Sequence, residues 1–257
     1  MFQRIWSITL NAYRESMRDR ILLSVFVFAL VMIVFSLFVG SISLEQDKAI
    51  IEDMGLALIF FLQLFIAVFV GANLMHKEIQ QKTFFMIVPK PIRKHEIILG
   101  KFFGLGMTNA LVTVFSSLVF FAVVFWQAHG FAGVPAMALA IAFGFLETML
   151  ILLASMLFSS FTSPILASVY AITLFFVGHS ATVFRGVIEK QNSFIARYGL
   201  YALYYLFPNF EKFNIRNEIV YGITPDAQQI LLALGYGVAY GLFLFVLTSI
   251  IFEQREY

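Results

Sequence analysis

The chain has 257 residues, of which 61% are hydrophobic and only 12% are charged. Soluble domains have about 45–50% apolar and about 25% charged residues, so this composition excludes a water-soluble domain. It also excludes a disordered chain, which requires low hydrophobicity. A net charge of +2 is too balanced to indicate a nucleic-acid partner. The absence of cysteine excludes disulfides, thiol catalysis and thiolate metal sites. The sequence therefore predicts an integral membrane protein.

Residues 1–20 predict an amphipathic helix on the membrane surface. Phe2, Trp6 and Tyr13 belong to an apolar stripe at spacings of three and four, and polar side chains occupy the opposite face. This helix is either an elbow that also touches a cytoplasmic partner or a simple anchor. It is not a cleavable signal peptide, because the next apolar run is too long for a signal core.

Six apolar runs are long enough to cross a bilayer, whose hydrocarbon core of about 30 Å requires about 20 helical residues. Backbone amides in lipid must bond within their own segment, so these runs are expected to be helices. The predicted fold is one all-α transmembrane domain over residues 1–257. Its predicted spans are 21–44, 54–75, 102–126, 136–158, 164–184 and 230–252.

The distribution of Lys and Arg predicts that both termini are cytoplasmic. The first loop has one basic residue, Lys48, whereas the second loop has six. Because loops rich in Lys and Arg stay inside, the second loop is assigned to the cytoplasm. The long segment 185–229 is then on the outer side.

The cytoplasmic loop, residues 76–101, is predicted to be structured. Glu78 and Lys82 have the i,i+4 order that favours a helix, and Pro89 and Pro91 interrupt it. A second helix restarts near residue 92 and continues into the third span. The alternative interpretation is a basic loop that only sets the topology.

The motifs of this loop resemble the coupling loop of type-2 ATP-binding-cassette (ABC) exporter permeases. Glu78 is followed by Thr83, then by Pro91 and Arg93, and Gly100 opens the next span together with Lys101. In that family the loop docks into a groove on the ATPase subunit. The resemblance implies that the coupling residues are Glu78, Lys82, Thr83, Pro91, Arg93 and Lys101.

The resemblance extends along the whole chain, and residues 206–211 are similar to the branch associated with multicopper-enzyme maturation. It implies an ABC ATPase partner that carries ATP and Mg, and a second permease protomer, either identical or a sister chain. It also implies contact with membrane lipid in a bacterial or archaeal inner membrane. The chain has no P-loop of its own, so we predict no enzymatic activity and no cofactor in this chain.

The outer segment, residues 185–229, is rich in aromatic side chains of the kind found at membrane–water boundaries. A helix of about residues 195–207 is predicted, ending before Pro208. It either sits above a translocation path or is only an interfacial anchor. The candidate residues here are Tyr201, Tyr205, Phe207, Pro208 and Phe210.

Glu147 is the only carboxylate in the middle of a predicted span. Because a charge at this depth is costly, it is expected either to line a polar path or to bond to neighbouring helices. His179 and Arg185, near the outer end of the fifth span, are interpreted as side chains that snorkel to the interface. Gly237 and Gly241 are predicted to allow close helix packing. No catalytic residues and no metal site are predicted, since the four His lack a ligand spacing.

The leading functional hypothesis is a permease subunit that exports a hydrophobic or amphipathic substrate with energy from a separate ATPase. One alternative is an ion- or proton-coupled secondary transporter in which Glu147 titrates. Another is an assembly or anchoring protein that does not transport.

Overall fold

The structure is a computed structural model that describes residues 2–18, 27, 30, 34, 47–73, 93–128, 133–190, 193–223 and 225–254. These residues form helices and short connections, with no strand among them. The prediction of an all-α chain is therefore confirmed for the described part of the chain.

Nine α-helices are described. They are α1 (Phe2–Arg18), α2 (Asp47–Phe65), α3 (Lys94–Ala128), α4 (Val134–Ser159), α5 (Pro164–His179), α6 (Ala181–Glu189), α7 (Phe194–Leu206), α8 (Arg216–Val220) and α9 (Ala227–Gln254). A π-helical turn, Ile66–Val70, continues α2, and a 3₁₀ turn, Phe210–Phe213, precedes α8. Helix α7 lies within one residue of the helix predicted for the outer segment.

Four of these helices are long and apolar enough to cross a membrane: Glu52–Asn73, Lys94–Phe125, Val134–Ser159 and Ala227–Phe252. Helices α5 and α6 together make a possible fifth span that is bent by 57°. The chain is thus a multi-pass helical membrane protein. The predicted first span, 21–44, lies outside the described residues except for 27, 30 and 34.

The predicted fifth span, 164–184, is not one straight helix. Helix α5 ends at His179, and α6 starts after Ser180, whose ψ of 16° is not helical. The Ser180 hydroxyl donates to Phe176 O, so a side chain satisfies a carbonyl of the last turn. The apolar composition of residues 164–184 predicted a long hydrophobic segment, but it did not predict that this segment bends.

Helix α3 begins with half of a capping box. The backbone N–H of Arg93 donates to Glu96 Oε2 at 3.3 Å, and Glu96 N–H donates back to Arg93 O at 2.9 Å. Glu at the third helical position satisfies a donor that would otherwise lack a partner at the helix start. This arrangement fixes the point at which the predicted coupling loop becomes a rigid helix.

Helix α4 is the central helix and packs against α2, α3, α5 and α9. Its serines bond to the backbone of the second span at its π-helical turn. Ser155 Oγ donates to Ala67 O at 2.8 Å, and Ser159 Oγ donates to Ala72 O at 2.6 Å. Gly71 makes this close approach possible, since a Cβ there would overlap Ser155 Oγ. Hydrogen bonds of this kind hold helices together in a bilayer, where the hydrophobic effect does not drive helices to associate.

We expect Ser155→Ala to destabilise the folded protein by about 0.6–1.7 kcal/mol, the range measured for hydrogen bonds between membrane helices. The variant loses the bond from α4 to the backbone of the second span. Ser168→Ala is the matched control, because Ser168 Oγ bonds only within its own helix, to Pro164 O. Reversible unfolding in mixed detergent measures both. Equal midpoints for the two variants would contradict the prediction.

Helix α1 packs along the first turns of α3 through a stripe of small residues. Thr9, Ala12 and Ser16 are buried in this contact. Thr9 and Ala12 face Gly104 of α3, where a Cβ would lie 2.6 Å from Thr9 O, and Gly100 of α3 faces Ile8. The larger apolar side chains Phe2, Trp6 and Met17 remain exposed on α1. The helix therefore binds α3 with its small residues and leaves its bulky apolar stripe without a partner in the described part of the chain.

The two ends of the helix bundle are distinct. At one end, the start of α3 lies between α1 and the last turn of α9, where Lys94 Nζ donates to Phe252 O at 3.4 Å. At the other end, residues 208–220 cross over the helices, and we call these residues the covering segment. It packs on α2, α4 and α5.

Candidate functional site

A large cavity lies between α2, α4 and α5, beneath the covering segment. Its volume is about 620 Å³, and most of its wall is apolar, with aromatic rings from several helices. Phe60 and Phe175 both line it and contact each other, with ring centroids 5.9 Å apart. Glu147 lies in its wall, so we call it the Glu147 cavity.

Glu147 projects from α4 into this apolar surface with only 1% of its area exposed. Its Oε1 has no hydrogen-bond donor. His179 Nε2, at the end of α5, lies 3.5 Å from that oxygen, and its Nδ1 lies 3.3 Å from Phe175 O. A neutral ring carries its proton on Nδ1 to meet the carbonyl, which leaves Nε2 as an acceptor. The structure adds to the snorkelling interpretation of His179 that its ring lies beside Glu147.

Gln63 supplies a second buried oxygen. Its Nε2 donates to Thr113 Oγ1 at 3.0 Å, and the Thr113 hydroxyl donates to Asn109 O at 2.8 Å. Because the hydroxyl proton of Thr113 is already used, Thr113 can only accept from Gln63, which fixes the orientation of the amide. Gln63 Oε1 then has no donor and points to α4, where a Cβ on Gly144 would lie 3.2 Å from it.

Gly144 and Glu147 are three residues apart and share one face of α4. The unpaired oxygens of Gln63 and Glu147 therefore lie along the same strip of the cavity wall. A buried acceptor without a donor costs about 1–3 kcal/mol. Gln63 and Glu147 both belong to the lining of the cavity, and their unpaired oxygens are buried in its wall.

Residues of the covering segment border one end of the cavity. Phe210 is fully buried and packs on α5 at Gly178, where a Cβ would overlap the Phe210 ring. Phe213, which lines the cavity, packs on α4 with its ring centroid 6.4 Å from that of Phe143. At the rim, Arg216 Nε pairs with Asp53 Oδ1 of α2 at 3.6 Å. This end of the cavity is thus bounded by an aromatic side chain and by one ion pair.

Hydrogen bonds attach the covering segment to the neighbouring helices. Asn209 N–H donates to Tyr236 Oη at 2.8 Å, and Thr182 Oγ1 donates to Glu211 Oε1 at 2.8 Å. Lys212 Nζ lies 4.1 Å from the centroid of the Tyr236 ring, a cation–π contact. The segment is therefore tied to both α6 and α9, so that a movement of either helix would reach the cavity.

Of the predicted coupling residues, Arg93 and Lys101 are described, and they lie at the end of the bundle opposite the covering segment. Glu78, Lys82, Thr83 and Pro91 lie outside the described residues. Arg93 is exposed at the start of α3, whereas Lys101 is buried with 3% exposure. The Lys101 side chain thus belongs to the interior of the bundle and not to an exposed surface.

The aromatic candidates of the outer segment separate into two groups. Tyr201, Tyr205 and Phe207 line a second cavity of about 350 Å³ above α9. Pro208 and Phe210 are buried in the covering segment. The two groups therefore have different surroundings: the first lines the second cavity, and the second packs inside the covering segment, which borders the Glu147 cavity through Phe213 and Arg216.

The glycines of α9 face two different neighbours. A Cβ on Gly237 would lie 3.1 Å from Phe213 of the covering segment. A Cβ on Gly241 would lie 3.3 Å from Leu150 of α4. Both positions bring α9 close to the elements around the Glu147 cavity.

The sequence did not reveal that Gln63, His179 and Arg216 gather around Glu147. Each comes from a different element, and no local spacing links them. Only the polar character of Gln63 within an apolar run could have marked it. Among the described residues, no three His, Asp or Glu side chains form a group that could hold a metal ion.

Comparison with known proteins leaves these site residues without a counterpart. No family model matches the chain, and a search of curated proteins finds no match.

Proposed function

We propose that this chain is the membrane subunit of a type-2 ABC exporter. It would work with a separate ABC ATPase, which holds ATP and Mg, and with a second permease protomer, identical or a sister chain. Its proposed location is a bacterial or archaeal inner membrane, with both termini in the cytoplasm. The substrate would be hydrophobic or amphipathic.

One observation carries this proposal: the helix that leaves the basic loop is held on two sides as soon as it starts. Helix α1 contacts Gly100 and Gly104 directly, and Lys94 bonds to the end of α9. A loop that only set the topology would need no such support. A loop that transmits force needs a stiff connection to the spans, because packed elements move as bodies.

The proposed mechanism starts from this connection. ATP binding would close two ATPase subunits against each other and push the loop that precedes Arg93. Helix α3 would then move together with α1 and α9. Because α9 also carries Tyr236, which bonds to the covering segment, the movement would reach the cover of the Glu147 cavity. The substrate would pass from the space between protomers toward this outer end.

The wall of the Glu147 cavity supports the substrate class. Its aromatic and aliphatic surface suits an apolar molecule, and its few polar groups are concentrated at Glu147, Gln63 and the rim. Binding sites of this composition take apolar ligands and orient them with a small number of polar contacts.

We expect the tagged chain, purified from its native membrane, to retain an ABC ATPase that mass spectrometry identifies. Arg93→Glu should lower the amount of retained ATPase by about fivefold or more, because the charge that faces the partner is reversed. The helix itself should survive, since an acidic side chain at a helix start is favourable. Glu78→Lys should have the same effect if both residues touch the ATPase.

Arg185→Glu is the control. Arg185 is exposed on α6, at the opposite end of the bundle, and its contact with Glu189 is a surface pair. Its reversal should leave ATPase retention unchanged. The proposal fails if no ABC ATPase is retained by the unaltered chain, or if Arg93→Glu and Glu78→Lys both retain it fully.

A further inference from the structure

The unpaired acceptors in the Glu147 cavity define what kind of group would bind there. Glu147 Oε1 and Gln63 Oε1 are both buried and both lack a donor. The Thr113 bond fixes the Gln63 amide, so Gln63 cannot turn its own NH₂ toward Glu147. His179 offers Nε2 as an acceptor when its proton faces Phe175 O. The two unpaired acceptors near Glu147 require a group that brings donors, whereas the unpaired donor of this wall, Arg216 Nε, lies at the rim 3.6 Å from Asp53 Oδ1.

The size and lining of the cavity indicate an organic ligand and not water alone. A water molecule occupies about 30 Å³ in the liquid, and the cavity holds about 620 Å³. Phe60, Phe65 and Phe175 contribute rings to its wall. Such a surface favours an apolar or aromatic body, with a polar head at the strip formed by Gln63 and Glu147.

The unpaired oxygens of Gln63 and Glu147 also indicate the charge of the ligand's polar head group. An ammonium has three donors and no acceptor, which suits two unpaired oxygens, one of them on a carboxyl group. A carboxylate or phosphate would add further acceptors beside Glu147 and would be repelled by it. The cation nearest the rim, Arg216, is paired with Asp53. Aromatic faces in the wall also attract a cation.

We infer that the Glu147 cavity binds a hydrophobic primary amine, with its ammonium on Glu147 and Gln63 and its apolar body among the phenylalanine rings. This inference rests on the proposed permease function, since it names the substrate class of the same path. Glu147 is then the residue that recognises the head group, and Gln63 sets the depth at which that head group binds.

A matched series of ligands tests this inference. The probes are 4-phenylbutylamine, 4-phenylbutanol and 4-phenylbutyrate, which differ only in the head group. The full chain is reconstituted in lipid nanodiscs without any ATPase, and binding of radiolabelled 4-phenylbutylamine is measured by scintillation proximity. Saturable binding is expected that unlabelled amine displaces and that the alcohol and the acid displace at least tenfold less well.

Variants assign the binding to the cavity. Glu147→Gln keeps the shape and removes the carboxyl group that would pair with an ammonium, and it should weaken amine binding at least tenfold. Gln63→Met removes the second acceptor and should weaken it severalfold, which keeps the test valid if Glu147→Gln does not fold. Glu189→Gln, at an exposed position on α6, should bind like the unaltered chain.

The inference is overturned if the unaltered chain shows no saturable amine binding, if the acid or the alcohol competes equally, or if Glu147→Gln and Gln63→Met both bind normally. These outcomes are separate from the test of the permease itself. Retention of an ABC ATPase without amine binding would leave the permease proposal in place and reject the amine. Amine binding by a chain that retains no ATPase would establish the site and reject the exporter.

Discussion

Phe210→Ala is expected to destabilise the protein by about 3–5 kcal/mol, the usual cost of truncating a buried phenylalanine. The Phe210 ring is fully buried and fills the space that Gly178 leaves on α5. It also lies beside His179, with ring centroids 6.0 Å apart. Its loss would detach the covering segment and open the outer end of the Glu147 cavity. Unfolding midpoints in detergent measure the stability, and hydrogen exchange of residues 208–220 measures the detachment.

Phe207→Ala is the matched control for this prediction, because it is the same substitution three residues earlier, directly before the covering segment. Phe207 is 38% exposed and lies outside the Glu147 cavity. We expect a loss of less than about 1 kcal/mol, as for most exposed positions. Equal losses for the two variants would show that Phe210 does not hold the covering segment in place.

Gly104→Ala is expected to displace α1 from α3. The added Cβ would lie 2.6 Å from Thr9 O and 2.7 Å from Ala12 Cβ, and a backbone oxygen in a helix cannot move aside on its own. Overpacking of this kind costs about 1–3 kcal/mol. Hydrogen exchange in residues 2–18 should become about ten- to a hundredfold faster, since the opening of α1 becomes easier by that free energy. If the exporter proposal holds, ATP hydrolysis should also become less tightly coupled to transport.

Gly235→Ala is the same substitution, but it is expected to change the stability of the protein in the opposite direction. Gly235 lies inside α9, and a Cβ there would meet nothing within 4 Å. Alanine is favoured over glycine in a helix by about 0.5–1 kcal/mol, so this variant should be slightly more stable than the unaltered chain. A destabilised Gly235→Ala, or an unaffected Gly104→Ala, would contradict the role of the α1–α3 contact.

The long helices were predictable because their sequence signal is local. Lipid satisfies no backbone amides, so a run of apolar residues such as 136–158 has few alternatives to a helix. Helix α4, Val134–Ser159, extends that run by only a few residues. The helix in the outer segment was predictable for a similar reason, since its aromatic residues recur at three and four and Pro208 follows it.

The packing face of α1 could not be predicted from its hydrophobicity. The apolar stripe was predicted to lie against the membrane surface, and Phe2, Trp6 and Met17 of that stripe are exposed. The buried side carries Thr9, Ala12 and Ser16. In membrane proteins, close backbone approach often decides which face packs. The spacing Gly100-x-x-x-Gly104 was the signal for this contact.

The candidate site was only partly predictable. Glu147 was recognisable because one carboxyl group in the middle of an apolar run needs an explanation. Its neighbours could not be identified, since the contact between Glu147 and His179 depends on how α4 and α5 pack. The fixed amide of Gln63 depends in turn on Thr113 of a third helix. The spacing of residues in the sequence does not indicate contacts of this kind between different helices.

The early end of α5 has a consequence for the bilayer around it. A helix of 16 residues rises about 24 Å, whereas the hydrocarbon layer is about 30 Å thick. Lipids beside α5 would have to thin or tilt by several ångströms, at a cost of fractions of a kcal/mol per ångström. Headgroups and water would then descend to the level of His179, and a polar molecule at Glu147 would reach the aqueous phase over a shorter distance than the full membrane requires.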